Sequence, residues 1–197
     1  IPVPDIQTQK EIVDEIEGYK KIIKGSKLVI ENFTPDLNID SKWKTKKLIE
    51  ICDLGPGGTP LRSEKKYWNG NIPWYTSGEL NDLYTSESNE YISELGLKKS
   101  NCKLFPKGSL LIGMYDTAAF KMSILDKEAA FNQAICGIKP SEQINLIFLY
   151  LFFIKNKKRY LNDRMGVRQR NLSKDYISDI EVPIPEIGVQ NKIVDKL

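Results

Sequence analysis

The same sixteen-residue pattern stands at both ends of this chain, and it dictates the organisation of everything between. Residues 1–16 read IPVPDIQTQKEIVDEI and residues 182–197 read VPIPEIGVQNKIVDKL. Seven of the 16 positions agree without a gap: Pro2/Pro183, Pro4/Pro185, Ile6/Ile187, Gln9/Gln190, Ile12/Ile193, Val13/Val194 and Asp14/Asp195. Others keep their character, as Asp5/Glu186 and Ile16/Leu197 do. In each copy the two prolines hold the chain extended, because a residue before proline is pushed out of the helical region. A helix then starts just behind them.

The first copy continues as a full helix. Ile12, Ile16, Tyr19, Ile23, Ser26 and Ile30 step alternately by four and three, the spacing of a coiled-coil seam. Val13, Ile22 and Val29 widen the stripe, Gly25 weakens it, and Pro35 stops it. From Ile6 to Ile30 such a helix runs roughly 37 Å at ~1.5 Å per residue. Packing on its own domain is the plain alternative to a partner helix. The second copy is cut at Leu197 after about two turns.

The chain holds no histidine, which removes Ser-His and Cys-His nucleophilic pairs, imidazole metal sites and imidazole acid–base chemistry. Its three cysteines, Cys52, Cys102 and Cys136, are odd in number and fit neither a disulfide framework nor metal-ligand spacing. A reducing cytoplasmic location is expected. The longest apolar run, Leu146 to Ile154, is less than half of a membrane span. A start at Ile1 without methionine points to a piece of a longer protein.

Residues 40–181 mix strand and helix signals. Strands are expected at 48–51, 109–115, 121–125 and 134–138, with turns at Asp116-Thr117 and Asp126-Lys127. Proline-containing loops are expected at 55–60 and 71–74, and a buried helix at 144–161. The fold class is therefore α+β: a single domain with a mixed or antiparallel sheet and helices, flanked by a long coiled-coil-type helix.

The main charge feature begins where that buried helix ends. Between Lys155 and Lys174 there are eight Lys/Arg and one acid, Asp163, leaving the rest of the chain at −4 within a total of +3. A solvated helix end is the ordinary reading of such a run. Here it continues as Arg164-Met165-Gly166-Val167-Arg168-Gln169-Arg170-Asn171-Leu172. Arginine suits guanine O6/N7 and phosphate, and Gln or Asn suits adenine N6/N7. A membrane patch needs an apolar face beside the charge, which this stretch lacks.

With these residues in view, the chain resembles, over essentially its whole length, the specificity subunit of type I restriction-modification systems. The matching pieces are Gly57-Gly58-Thr59-Pro60, Tyr67-Trp68-Asn69-Gly70-Asn71-Ile72-Pro73-Trp74, Asn132-Gln133, Gly166 to Leu172, and Pro183-Ile184-Pro185 leading to Gln190. The resemblance implies two target recognition domains per subunit, joined by two antiparallel helices that act as a ruler and as a platform for methyltransferase subunits. Each domain would read half of a bipartite DNA sequence without catalytic activity of its own. S-adenosylmethionine would bind in the methyltransferase partner, and a translocating restriction subunit would complete the complex.

This chain has one recognition domain and one and a half helices, as one half of a pseudo-symmetric subunit would. The expected division is residues 1–35 as Pro-x-Pro segment and spacer or dimerisation helix, 36–181 as target recognition domain, and 182–197 as second Pro-x-Pro segment and start of the next helix. Ile12, Ile16, Tyr19, Ile23 and Ile30 form the helix interface, open to self-association. Stretches such as Glu17-Gly18-Tyr19 also resemble the helix of methyltransferase–specificity fusions. A fused bifunctional enzyme is thus one alternative, and a helix-mediated assembly module with weak DNA binding another.

Three surfaces are candidates for double-stranded DNA. Arg164, Arg168, Gln169 and Arg170 combine charge with a base-reading amide; the alternative is a loop pinned by salt bridges. Tyr115, Thr117 and Lys121, around a turn between strands, offer hydroxyls, a contact for the thymine methyl and a cation. An ordinary hairpin with Tyr115 in the core is the alternative. Thr59, Arg62, Lys65, Lys66 and Tyr67 form a basic loop after the glycines, suited to DNA backbone contact, with a merely solvated loop as the alternative; the missing Gly-Lys-Ser/Thr ending rejects a P-loop. Asn132 and Gln133 are assigned to scaffold, Trp43, Trp68 and Trp74 to packing, and Glu79 with Asp82 to no catalytic role.

Overall fold

The computed structural model describes residues 3–32, 35, 37–166 and 172–196, with the backbone alone at 30–32 and 163–166. It divides into two compact units, Ile1–Thr34 and Pro35–Leu197.

The first unit is helix α1, Ile6–Asn32. Asp5 opens it, accepting from the Thr8 backbone N–H at 2.9 Å and the Thr8 hydroxyl at 2.8 Å. These donors hold the Asp5 carboxyl below its ordinary range. Gln9 reaches back, its Nε2 donating to the Pro4 carbonyl at 2.7 Å. Ile12, Ile16, Tyr19 and Ile23 all stand exposed, as do Val13, Ile22 and Val29. The side chain of Ile30 lies outside the described residues.

The second unit is built on three sheets. Strand β1, Thr45–Lys47, pairs antiparallel with β9, Glu181–Pro183. Strands β2 (Leu54–Pro56), β5 (Leu110–Gly113), β6 (Met122–Ile124) and β8 (Ile135–Ile138) form an antiparallel sheet in the order β2-β8-β5-β6. Strand β3, Trp68–Tyr75, pairs antiparallel with β4, Glu90–Ile92, and parallel with β7, Ala130–Phe131. Helices α2 (Glu94–Lys98), α3 (Leu146–Gly166), α4 (Lys174–Ser178) and α5 (Ile187–Val194) complete it.

The four-stranded sheet is buried on both faces. Leu110, Ile112, Cys136 and Ile138 join a core with Phe148, Leu149 and Phe153 of α3. Leu111 and Ile135 turn the other way, to Phe105 and Phe131. Side chains alternate faces along a strand, so burial of both faces reads as an unbroken apolar run. Gly137 is needed among them, because a Cβ there would stand 2.4 Å from the Phe131 ring and 2.7 Å from Phe105. Edge strand β2 ends at Pro56, and β6 meets the flanking chain through a bridge from Ile124 to Tyr84.

Several expectations are corrected. Residues 48–51 are not a strand: Leu48–Glu50 is a 3-10 turn. Leu48 and Ile51 are buried while Ile49 is half exposed, a spacing of three that suits a turn and not a pleat. The 71–74 segment is not a loop but part of β3, and 54–56, overlapping the expected 55–60 loop, is strand β2. Proline survives in β3 because β7 pairs only with Trp74 and Tyr75, so the open side of Pro73 asks for no N–H. Helix α3 runs on to Gly166, past the expected 161.

Residues 182–197 belong to this unit. Gln190 repeats the bond of Gln9, Nε2 donating to the Pro185 carbonyl at 2.8 Å, but fully buried. It also donates to the Gln143 carbonyl at 3.1 Å and accepts from the Asn145 N–H at 2.8 Å. The repeat is thus a hydrogen-bonded staple between the second proline and the glutamine five residues on.

The cysteines are free and buried, and burial pushes Cys52 up to about 11 and Cys136 up to about 12. Among the described residues no helix is long and apolar enough to cross a membrane.

Candidate nucleic-acid interface

Met114, just past β5, gathers the pieces. Its N–H donates to the Ala134 carbonyl at 2.8 Å, and its carbonyl accepts from the Leu172 N–H at 2.9 Å. One backbone residue therefore ties together the turn that follows it, the Asn132–Ala134 segment and the far flank of the basic stretch. Arg168, Gln169 and Arg170 lie outside the described residues, as does the Arg164 side chain. Their flanks, Gly166 at the end of α3 and Leu172 on Met114, are described.

The turn 113–121 is locked from within and from below. The Gly113 N–H donates to the Lys121 carbonyl and the Phe120 N–H to the Gly113 carbonyl, at 2.8 and 2.9 Å. A 3-10 turn at Asp116–Ala118 fills the tip. Asp116 and Phe120 take positive φ, 48° and 56°. For a bulky residue such as Phe120 this conformation costs on the order of 1–3 kcal/mol and persists only where the surroundings overdetermine it.

Those surroundings are aromatic. Phe120 is fully buried, stacked on Tyr160 at 5.0 Å and 9°, with its ring 5.8 Å from Phe153 at 80°. Gly113 admits the Ala118 carbonyl, which would stand 2.2 Å from a Cβ. The outward groups are Thr117 and Asp116, exposed, with Tyr115 and Lys121 partly so. Lys121 is aimed by Asn81, whose Oδ1 accepts from Nζ at 2.8 Å. Tyr115 also packs against the core, as the hairpin alternative expects.

Thr59 joins this edge. Its hydroxyl donates to Oε1 of Gln133 at 2.5 Å, both side chains being exposed. Asn132 is scaffold, its Oδ1 accepting from the Ala134 N–H at 3.0 Å, whereas Gln133 is presented to solvent beside Thr59. The preceding glycines are there for close approach. A Cβ on Gly57 would stand 2.1 Å from the Phe131 carbonyl oxygen, and one on Gly58 2.5 Å from the Asn101 backbone. Gly57→Ala is expected to cost about 1–3 kcal/mol, as overpacking against immobile backbone does. A urea titration checks this; a loss below 0.5 kcal/mol, roughly the scatter of neutral surface changes, contradicts it.

Arg62, Lys65 and Lys66 belong to a different surface. The Arg62 fork is paired with the Glu90 carboxylate, with Nη2 to Oε2 at 3.0 Å, and its guanidinium lies 3.9 Å above the Trp68 ring. The pairing raises the Arg62 pKa and lowers that of Glu90. Lys66 pairs with Glu64 at 3.2 Å. An open cleft of about 550 Å³ lies here, lined by Lys65, Asn69 and Tyr91 among others. Trp74 is core, while Trp68 and Trp43 are partly buried packing residues. Glu79 is occupied in capping the turn at Thr76, accepting from its N–H and hydroxyl at 2.8 Å.

The basic end of α3 divides by role. Lys155 donates to the Leu37 carbonyl at 2.5 Å, and Lys158 and Arg159 are exposed. Lys157 is partly buried, and burial together with the Lys121 charge lowers its pKa. Sequence reasoning gave no individual role to Lys157 and none to Phe120. The signal for Lys157 was its place four residues after Phe153 on the apolar side of α3; Phe120 carried none.

Comparison with known proteins adds the lineage. The family described as type I restriction modification DNA specificity domain matches residues 40–197. The MjaIX type I restriction enzyme specificity subunit of Methanocaldococcus jannaschii is 30% identical over 81% of this chain and 38% of its own length. The EcoR124I/EcoR124II specificity subunit of Escherichia coli is 26% identical over all of this chain and 54% of itself. The chain thus spans about half the length of these relatives, or less. An HsdS subunit from Thermoanaerobacter tengcongensis shares the fold at a TM-score of 0.62 and 17% identity, covering all of this chain and 51% of that one.

Proposed function

This chain belongs to the type I restriction-modification DNA specificity domain family, and we propose that it reads one half of a bipartite duplex target. The carrying observation is the Met114 junction, which sets a rigid turn beside the flank of the most basic stretch. Phosphate contacts fix register and base contacts carry sequence. In this reading Arg164, Arg168 and Arg170 hold the backbone. Thr117, Tyr115 and Gln169 meet base edges in the major groove, and Thr59 borders the same edge. Arg62, being engaged by Glu90, braces the second surface, where Lys65 and Lys66 add long-range attraction.

Helix α1 supplies the second half of the reading. Its 27 residues extend about 40 Å at 1.5 Å per residue, close to the ~34–36 Å between equivalent major-groove positions one turn apart. Its exposed seam suits a second helix of the same kind, giving a pseudo-symmetric pair of recognition domains that carries methyltransferase and restriction subunits. S-adenosylmethionine and the methyl transfer then belong to the methyltransferase.

The test is selection from random duplexes, followed by binding of the enriched sequence against salt. A short enriched motif with steeply salt-dependent affinity is expected, and no enrichment overturns the reading. In the Arg168→Glu/Arg170→Glu variant the slope of log K against log salt should shrink by about 1.8, at ~0.9 per phosphate contact. An unchanged slope removes both residues from the interface.

A further inference from the structure

We propose that Lys157 and Lys121 together seat one backbone phosphate of the DNA, setting the depth at which the 115–121 turn enters the groove. The inference rests on the DNA-binding reading above and deepens it at one point.

Three observations converge. Lys157 lies on the face of α3 that carries Phe153 and Tyr160, four residues after one and three before the other, a spacing that stacks side chains along a helix. Those two rings clamp Phe120, the residue next to Lys121. The two lysines therefore approach the same spot from α3 and from the base of the turn.

Secondly, they feel each other. Burial and the Lys121 charge both act against the Lys157 ammonium, and no carboxylate acts in its favour. Among the described residues Lys157 has no ion pair or hydrogen bond, while Lys47, Lys127 and Lys139 each have a carboxylate within 3.1 Å. Thirdly, Lys121 is oriented by a neutral amide, Asn81 Oδ1, so its full charge remains available. Among the described residues neither ammonium group is paired with a carboxylate, and two such neighbours repel until an anion intervenes; a phosphodiester carries the charge and the acceptor oxygens to do so.

The seat also explains an economy of the fold. The rings that hold Phe120 in its left-handed conformation flank Lys157, so the same short piece of α3 positions the turn and meets the backbone. A phosphate held there would act as the depth stop for Thr117 and Tyr115.

The experiment measures duplex binding by this chain across 50–200 mM salt for wild type, Lys157→Gln, Lys157→Met and Lys157→Arg, with melting temperatures alongside. Loss of one phosphate contact lowers the salt slope by about 0.9, so the wild-type advantage over Lys157→Gln should shrink roughly 3.5-fold over that range. The loss should be equal on the selected and on a scrambled duplex, because a phosphate carries no sequence. Lys157→Met, which keeps the apolar stem and the fold, should behave as Lys157→Gln does, and Lys157→Arg should restore the slope.

A wild-type slope retained by the Gln and Met variants overturns the seat and leaves the DNA-binding reading standing. Absence of salt-dependent binding in the wild type overturns both.

Discussion

Phe120→Ala is expected to destabilise the 35–197 unit by about 3–5 kcal/mol, the range for truncating a buried aromatic residue. The ring is wholly enclosed and touches Tyr160 and Phe153. For a unit of this size that amounts to a fall in melting temperature on the order of 10 °C. A companion variant separates packing from backbone. Glycine ordinarily costs about 0.5–1 kcal/mol relative to alanine in regular structure. At φ 56° the order reverses, because the left-handed conformation costs an L-residue roughly 1–2 kcal/mol that glycine does not incur. Phe120→Gly should therefore be more stable than Phe120→Ala, by about 1 kcal/mol. Urea unfolding of both variants decides it, and an alanine variant at least as stable as the glycine one contradicts the lock. With the lock gone, the turn loses its fixed shape while the cations remain. Duplex binding should keep its salt dependence and lose discrimination between selected and scrambled sequences.

Gln190→Ala is the second large effect, expected at about 3 kcal/mol, since unsatisfied buried groups cost ~1–3 kcal/mol each. Its fully buried side-chain amide donates to two carbonyls and accepts one N–H. Removal strands the Asn145 N–H at the entry to α3 and leaves the Pro185 and Gln143 carbonyls without their donor. Gln9→Ala is the control written into the repeat. It removes one exposed bond to Pro4, for which a loss near 0.5 kcal/mol suffices. Equal losses at the two positions, measured by denaturant unfolding, would mean that the buried setting of Gln190 contributes nothing.

Much of this architecture was legible in the chain, for identifiable reasons. The terminal repeat was visible because proline and glutamine at fixed spacing are rare signals, and each copy does form the same staple. Strands β5, β6 and β8 were visible as short apolar runs bounded by turn residues. Leu48 to Ile51 misled because an apolar tetrapeptide has no period of its own; only tertiary burial distinguishes spacing two from spacing three. Asn71 to Trp74 misled because proline and asparagine weigh as loop formers, and whether a proline N–H is missed depends on a neighbouring strand far along the chain.

The site was legible as residue types and illegible as a place. That 115–121 and the flank of 164–172 are neighbours depends on a backbone bond between Met114 and Leu172, which no side chain advertises. Arg62 resembled its exposed lysine neighbours in sequence, yet Glu90 and Trp68 already engage its guanidinium. The Arg62–Glu90 pair joins residues 28 apart and leaves no local trace.

The edges of the four-stranded sheet have a consequence for how this molecule meets its own kind. Strand β2 offers three residues and closes on Pro56; β6 offers three and is met by Tyr84. An edge so short gives an incoming strand little to zip onto, which guards against fibril-like stacking during synthesis and at high concentration. In the proposed reading the adhesive surface is the exposed seam of α1 instead. Crowding of this protein should yield discrete, reversible helical pairs, with no open-ended growth of strands.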